Sequence, residues 1–248
     1  MEAKFVDIHA HLSDKRFEGK LESLAKELKD FLVLNAGENS TDNEKILLES
    51  KKNPNFLPCI GLHPNFISSA AEEDVSKSFD YIAKHVKEAF AISEIGLDYR
   101  GKDELQISSQ KRIFTELLEL AELEGKVCII HSRKAMDDLL KILSSFDTDV
   151  IIHNFEGNQA QYTKAVEAKA YVSVSTGFIT FKRDNLIKKM VLDRMFVETD
   201  SPVLSPDSEL NTPLNIPKIL DYISALRGIK QIELKEKIFM NFKRLFYG

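Results

Sequence analysis

Short apolar runs alternate along the chain with longer stretches in which apolar residues recur at three- and four-residue spacing. Eight runs stand out: Phe5–Ile8, Phe31–Leu34, Phe56–Leu62, Ala89–Ile95, Val127–Ile130, Asp149–Ile152, Ala170–Val174 and Met195–Val197. Each is short and often β-branched, as expected of strands buried on both faces. Between them, Leu21, Leu24, Ala25 and Leu28 mark one amphipathic helix. Ile113, Leu117, Leu120, Ala121 and Leu123 mark another, which Gly125 is placed to stop. Leu139, Leu140 and Leu143 mark a third, with Ser132 as its expected N-cap. Ile216–Leu226 and Ile232–Phe246 predict two more helices, packed over the outside.

The residues that end the eight runs are His11, Ala36, His63, Glu94, His131, His153, Ser175 and Asp200, spaced 22 to 37 residues apart. That spacing predicts a parallel sheet with right-handed crossovers. Eight strand-plus-helix units in 248 residues predict an α/β fold of the (β/α)8 TIM-barrel type, one domain over residues 1–248. An open doubly wound sheet is the alternative.

Composition narrows the function. Lys+Arg 34 against Asp+Glu 39 gives a net charge of −5, so any nucleic-acid contact must come from a local basic patch. Cys59 and Cys128 lie inside apolar runs and read as buried free thiols, which fits a reducing cytoplasm. No apolar run approaches the roughly 20 residues of a membrane span, and no cleavable leader is visible. No nucleophile elbow, P-loop or dinucleotide fingerprint occurs, so no organic cofactor is expected.

The six histidines carry the chemistry. Five of them (His9, His11, His63, His131 and His153) sit at or just past the end of an apolar run, and Glu94 and Asp200 do the same. In a parallel barrel those ends converge on one rim, where active sites form. His9 and His11, two apart on a strand, leave the same face and can bite one cation. Taken alone, His131 or His153 reads first as a satisfied core histidine, and His85 as a solvated helix residue. Together, so many imidazoles and acids on a buried rim need a partner, and a divalent metal such as Zn²⁺, Mg²⁺ or Mn²⁺ supplies one. Glu94 can bridge two ions, while Asp200 can hold one and accept a proton from the attacking water. Asp7 and Asp98 read as residues that orient ligands, Asp98 equally as a turn residue. Glu198 reads as a structural ion-pair partner.

Asp7-Ile8-His9-Ala10-His11-Leu12, Gly61-Leu62-His63-Pro64, Glu94-Ile95-Gly96-Leu97-Asp98-Tyr99, Ile130-His131-Ser132-Arg133 and Glu198-Thr199-Asp200-Ser201-Pro202 occur in that order. His153-Asn154-Phe155-Glu156-Gly157 and the segment Ser175–Lys182 join them. This set resembles the TatD-like family of metal-dependent deoxyribonucleases, within the amidohydrolase-like barrels, from residue 5 to about residue 217. The resemblance implies one or two divalent metals. His9, His11, Glu94 and Asp200 would hold the first, and Glu94, His131 and His153 the second. His63, Arg100 and Arg133 would face the scissile phosphate of DNA, hydrolysed by a metal-activated water. The wider barrel group often bridges its metals with a carbamylated lysine, and Glu94 stands in that place here. Two positions depart from the family pattern. An arginine is missing before Asn211-Thr212-Pro213, where Leu210 stands, and Glu156 replaces a small or hydroxylated residue.

DNA contacts are expected from Arg100 with Lys102, Arg133 with Lys134, and Lys182 with Arg183. Stacking is expected from Phe66, Tyr99, Phe155, Phe178 or Phe181. Two further readings are an amide or ester hydrolase, such as an aminoacyl-tRNA deacylase, and a metal-stabilised scaffold without catalysis.

Overall fold

Eight parallel strands, in sequence order around one sheet, form the centre of the computed structural model, which describes residues 3–207 and 209–248. They are β1 (Phe5–Ala10), β2 (Phe31–Ala36), β3 (Phe56–Ile60), β4 (Ala91–Asp98), β5 (Cys128–Arg133), β6 (Val150–Ile152), β7 (Tyr171–Ser175) and β8 (Met195–Glu198). Helices α1 (Leu21–Glu27), α2 (Ser40–Lys52), α3 (Pro64–Ser69), α4 (Glu72–His85), α5 (Glu104–Glu124), α6 (Met136–Leu143), α7 (Gln159–Glu167), α8 (Phe178–Phe181) and α9 (Asp184–Lys189) fill the crossovers. The two helices expected at the end are α10 (Ile216–Arg227) and α11 (Gln231–Tyr247), packed against β1 and β8. The open doubly wound sheet is therefore excluded. Ile8, Val33, Ile60, Ile92, Ile130, Ile152, Val172 and Val197 are fully buried, as strands covered on both faces must be.

The barrel closes between β8 and β1 at the C-terminal rim alone. Ala10 and Ser201 form a parallel bridge, the Asp200 amide donates to the His9 carbonyl (3.0 Å), and the His11 amide donates to the Ser201 carbonyl (2.7 Å). Buried Asp7 adds a side-chain clasp, accepting from the Thr199 amide (3.0 Å) and meeting the Thr199 hydroxyl (2.5 Å). Asp7 thus joins the first strand to the last, and its contact with His9 is to the backbone amide (3.3 Å), not to the ring. Burial pushes its carboxyl up to about 8, with the Thr199 bonds pulling back in part.

Three sequence expectations shift, each for a local reason. β3 stops at Ile60 rather than Leu62 because Asn43 takes over from the ladder: its side chain accepts from the Gly61 amide (3.0 Å) and donates to the Gly61 carbonyl (2.9 Å). A β-carbon on Gly61 would strike the backbone of Ser93 and Glu94, so only glycine lets these strands approach. β4 runs on to Asp98 rather than ending at Ile95, because Gly96 adopts φ +137° against the His131 backbone and pairing continues to Asp98↔Arg133. Ser132 is consequently a strand residue. Helix α6 starts after Ala135, with no side-chain cap, which corrects the N-cap expected of Ser132. Gly125 does stop α5, in a left-handed conformation at φ +61°.

Cys59 and Cys128 are both buried, and burial raises both thiols well above the ordinary thiol range. Neither is expected to react with a disulfide reagent at about pH 8 in the folded protein, and both should react after denaturation. Rapid labelling of either thiol without denaturant would contradict this packing. Among the described residues no helix is long and apolar enough to cross a membrane.

Candidate metal centre

All five rim histidines, Glu94 and Asp200 meet at the C-terminal mouth of the barrel. His9 Nε2 lies 3.1 Å from His11 Nε2, 3.4 Å from Glu94 Oε2 and 3.7 Å from Asp200 Oδ1. His11 Nε2 lies 3.3 Å from the same Glu94 oxygen and 3.5 Å from the same Asp200 oxygen. Four ligands placed about 2.0–2.1 Å from one ion stand roughly 3.3–3.4 Å apart at the corners of a tetrahedron. The spacings observed here bracket that value.

The other oxygen of Glu94 faces a second set. His131 Nδ1 is 2.7 Å from Glu94 Oε1, His153 Nε2 is 2.9 Å and His63 Nε2 is 3.5 Å, with 3.2 Å between the His131 and His153 nitrogens. Glu94 is 2 % exposed, so every one of these contacts is shielded from water.

Neighbouring groups fix which nitrogen carries a lone pair in three of the rings. His11 Nδ1 lies 3.2 Å from the Ala36 carbonyl, which accepts only, so the proton sits there and Nε2 is free to ligate. His153 Nδ1 faces Glu198 Oε1 at 3.3 Å, which likewise leaves Nε2 for a cation. His63 is the reverse case. It caps α3, its Nδ1 accepting from the Asn65 amide (3.0 Å), so the Nε2 proton points towards Glu94. In the neutral ring that nitrogen is a donor, suited to an anion rather than a metal.

Glu198, expected to serve as a structural partner, does so at the site itself. It is fully buried, it is hydrogen-bonded by Ser173 and it holds His153. Asp200 turns away from it because the chain at Asp200 is left-handed, φ +54°, a conformation Asp tolerates better than most residues. Asp98 accepts from the Arg100 amide (2.9 Å) and Asn65 Nδ2 (3.1 Å), and stands 3.6 Å from His131 Nε2. It is both a turn residue and a neighbour of a site histidine.

Among the described residues, no Lys or Arg nitrogen lies within ion-pair distance of Glu94 or Asp200; imidazoles are their only cationic partners. Burial alone would raise Glu94, but the fields of His63, His153 and His9 and a hydrogen bond from His11 hold it well below the carboxylate range. Burial disfavours charge on His11 and His153, yet bonds and fields from Asp200, Glu94 and Glu198 drive both well above the ordinary imidazole range. His9, shielded most and beside His153, moves down. The cluster demands positive charge, and converging lone pairs and a buried bridging carboxylate fit a divalent ion. Glu198→Gln is expected to weaken metal affinity by about 10–100-fold while His153 stays in place. Titration with a metal-sensitive dye measures this, and unchanged affinity would separate Glu198 from the site.

The cavity above the cluster has a volume of about 520 Å³. Its basic walls are Lys15, Arg16, Lys45 and Arg133, and only Arg133 was expected from the sequence. Arg100 is exposed and does not line the cavity. Arg183 is spent on the carbonyls of Phe155 (2.7 Å) and Gly157 (2.5 Å), and Lys182 lies over the Tyr222 ring. Phe155 and Phe178 are core residues, which removes them as stacking surfaces, whereas Phe181 is 61 % exposed. Glu38, after β2, also faces the site within reach of His11 and Glu94. It follows Gly37 directly, the position of a strand-end acid, but no apolar run ends on it.

The sequence model of the family described as TatD related DNase matches residues 6–247. Deoxyribonuclease TATDN3 of Homo sapiens is 29% identical over 258 residues, covering 97% of this chain and 94% of that protein. An uncharacterized metal-dependent hydrolase of Methanocaldococcus jannaschii is 28% identical, covering 99% and 98%. Among solved structures, the TatD homologue YJJV of Escherichia coli superposes with a TM-score of 0.90 at 23% identity, covering 100% of both chains. A TatD family hydrolase of Entamoeba histolytica gives 0.86 at 19%, covering 100% and 99%. The acyl hydrolase and scaffold readings are not favoured by these relatives. With a matching barrel, a family match over nearly its whole length and a cation-seeking cluster at the mouth, the chain belongs to the TatD related DNase family and is a hydrolase of the TatD type.

Proposed function

We propose that this chain is a metal-dependent deoxyribonuclease, acting as one domain over residues 1–248 in the cytoplasm, a compartment that suits its two free thiols. The observation that carries this reading is the division of Glu94 between two imidazole sets, Oε2 facing His9 and His11, and Oε1 facing His131 and His153. His9, His11, Glu94 and Asp200 would hold one cation, and Glu94, His131 and His153 a second. When bound, such ions supply Lewis acidity, lowering the pKa of water from about 15.7 towards 7 and offsetting phosphate charge.

The chain's own groups do the rest. Asp200, partly open to the cavity, orients the attacking water and receives its proton. His63 Nε2–H donates to a phosphoryl oxygen, a role that its capping bond to Asn65 imposes. Arg133 stabilises charge that develops on the other phosphoryl oxygens. Lys15, Arg16 and Lys45 lead the strand along the opposite wall, though Arg16 is partly neutralised by Asp14 (2.9 Å).

Purified protein assayed on single- and double-stranded DNA with Mg²⁺, Mn²⁺ or Zn²⁺ tests the proposal. Cleavage is expected to fall steeply between low and physiological salt, as phosphate contacts require. A rate independent of salt, or no cleavage with any ion, would reject DNA as the substrate.

A further inference from the structure

A second cavity of about 470 Å³ adjoins the first, and Ser132 and Glu156 line both. Its other walls are Tyr99, Lys134, Met136, Asp137 and Gln161. Asp138 is spent, accepting from the Tyr99 hydroxyl (2.9 Å) and pairing with Lys111 (2.6 Å). Glu156 and Asp137 are exposed and have no ion-pair partner among the described residues. Arg183 lies within the field of Glu156, but its guanidinium is bound to the two loop carbonyls. Two unpaired carboxylates against one rim lysine repel a phosphate.

Ser132 points to what does bind. The residue borders both cavities and is 8 % exposed, and its buried hydroxyl has no hydrogen-bond partner among the described residues. A buried hydroxyl left unpaired is costly unless a ligand completes it. The ligand cannot be anionic, must reach the mouth where the phosphodiester is cut, and must offer donors to carboxylates. A nucleobase with an exocyclic amine meets all three demands, since Asp and Glu accept from such amines and clash with a carbonyl in the same place.

We propose that this acid-walled cavity seats the base next to the scissile phosphate, and that Asp137, Glu156 and Ser132 make it prefer an amino-bearing base over a keto-bearing one. The inference rests on the deoxyribonuclease reading. It is tested with single-stranded oligonucleotides that carry dC or dU at one position on either side of the cleaved bond. The two bases differ only at the exocyclic amine or carbonyl and its adjoining ring nitrogen.

The wild-type protein is expected to cleave the dC substrate with a kcat/KM about five- to tenfold above dU at one of the two positions. Asp137→Asn and Glu156→Gln should each reduce that preference, and the double variant should abolish it. Equal cleavage of dC and dU by wild type, or an unchanged preference in the double variant, overturns the proposal. If no DNA is cleaved under any condition, the deoxyribonuclease reading fails, and free nucleosides then decide about the cavity. Amide NMR shifts at Lys134, Asp137 and Gln161 with deoxycytidine but not deoxyuridine support it, and shifts with neither nucleoside reject it.

Discussion

Replacing Glu94 by glutamine is expected to lower kcat/KM on DNA by about 10²–10³-fold, the scale on which loss of one preorganised electrostatic group acts. The reason is the doubled use of this side chain. Its two oxygens stand 2.7–3.5 Å from five imidazoles, so one substitution weakens both halves of the cluster. Glutamine keeps the volume, but it removes the negative charge and turns one acceptor into a donor aimed at imidazole lone pairs. Bound metal per chain should fall with activity, while the far-ultraviolet circular dichroism stays that of the barrel. Activity within tenfold of wild type, with full metal content, would remove Glu94 from the centre of the chemistry.

Metal removal is the second large effect. Buried Glu94 and partly open Asp200, with no lysine or arginine partner among the described residues, depend on imidazolium or on a cation for their charge balance. Excess chelator is expected to abolish hydrolysis. Binding with free ion near 1,000 times Kd adds about 4 kcal/mol to stability, so chelation should lower Tm by about 8–16 °C in a domain of this size. Added Mg²⁺, Mn²⁺ or Zn²⁺ should restore both. An unchanged Tm together with full activity in chelator would mean that the cluster does not work through a metal.

Much of the architecture could be read from the chain because strands buried on both faces leave a local trace. Val127–Ile130 is a continuous apolar block and Ala170–Val174 is one broken only by Ser173, and amphipathic stretches separate such runs. Parallel topology then forces their C-terminal ends together, which is why His9, Glu94, His131 and Asp200 meet despite their separation in sequence. Boundaries were less legible. Neither the side-chain amide of Asn43 standing in for a ladder at Gly61 nor the continuation of β4 past Gly96 has a local signal, since both depend on what lies across the sheet.

Identity and spacing in the sequence determined an eight-unit barrel and the set of imidazoles and acids at its mouth, because burial and strand direction follow from local hydrophobic pattern. Folding in three dimensions decided which nitrogen of each ring faces inward, through the Ala36 carbonyl, Glu198 and the Asn65 amide. It also decided that Lys15, Arg16 and Lys45 wall the cavity rather than Arg100, and that Ser132 borders a second one. Those outcomes hang on side-chain direction and on contacts between distant segments, which bulges, left-handed residues and strand stagger set together and no single stretch of sequence encodes.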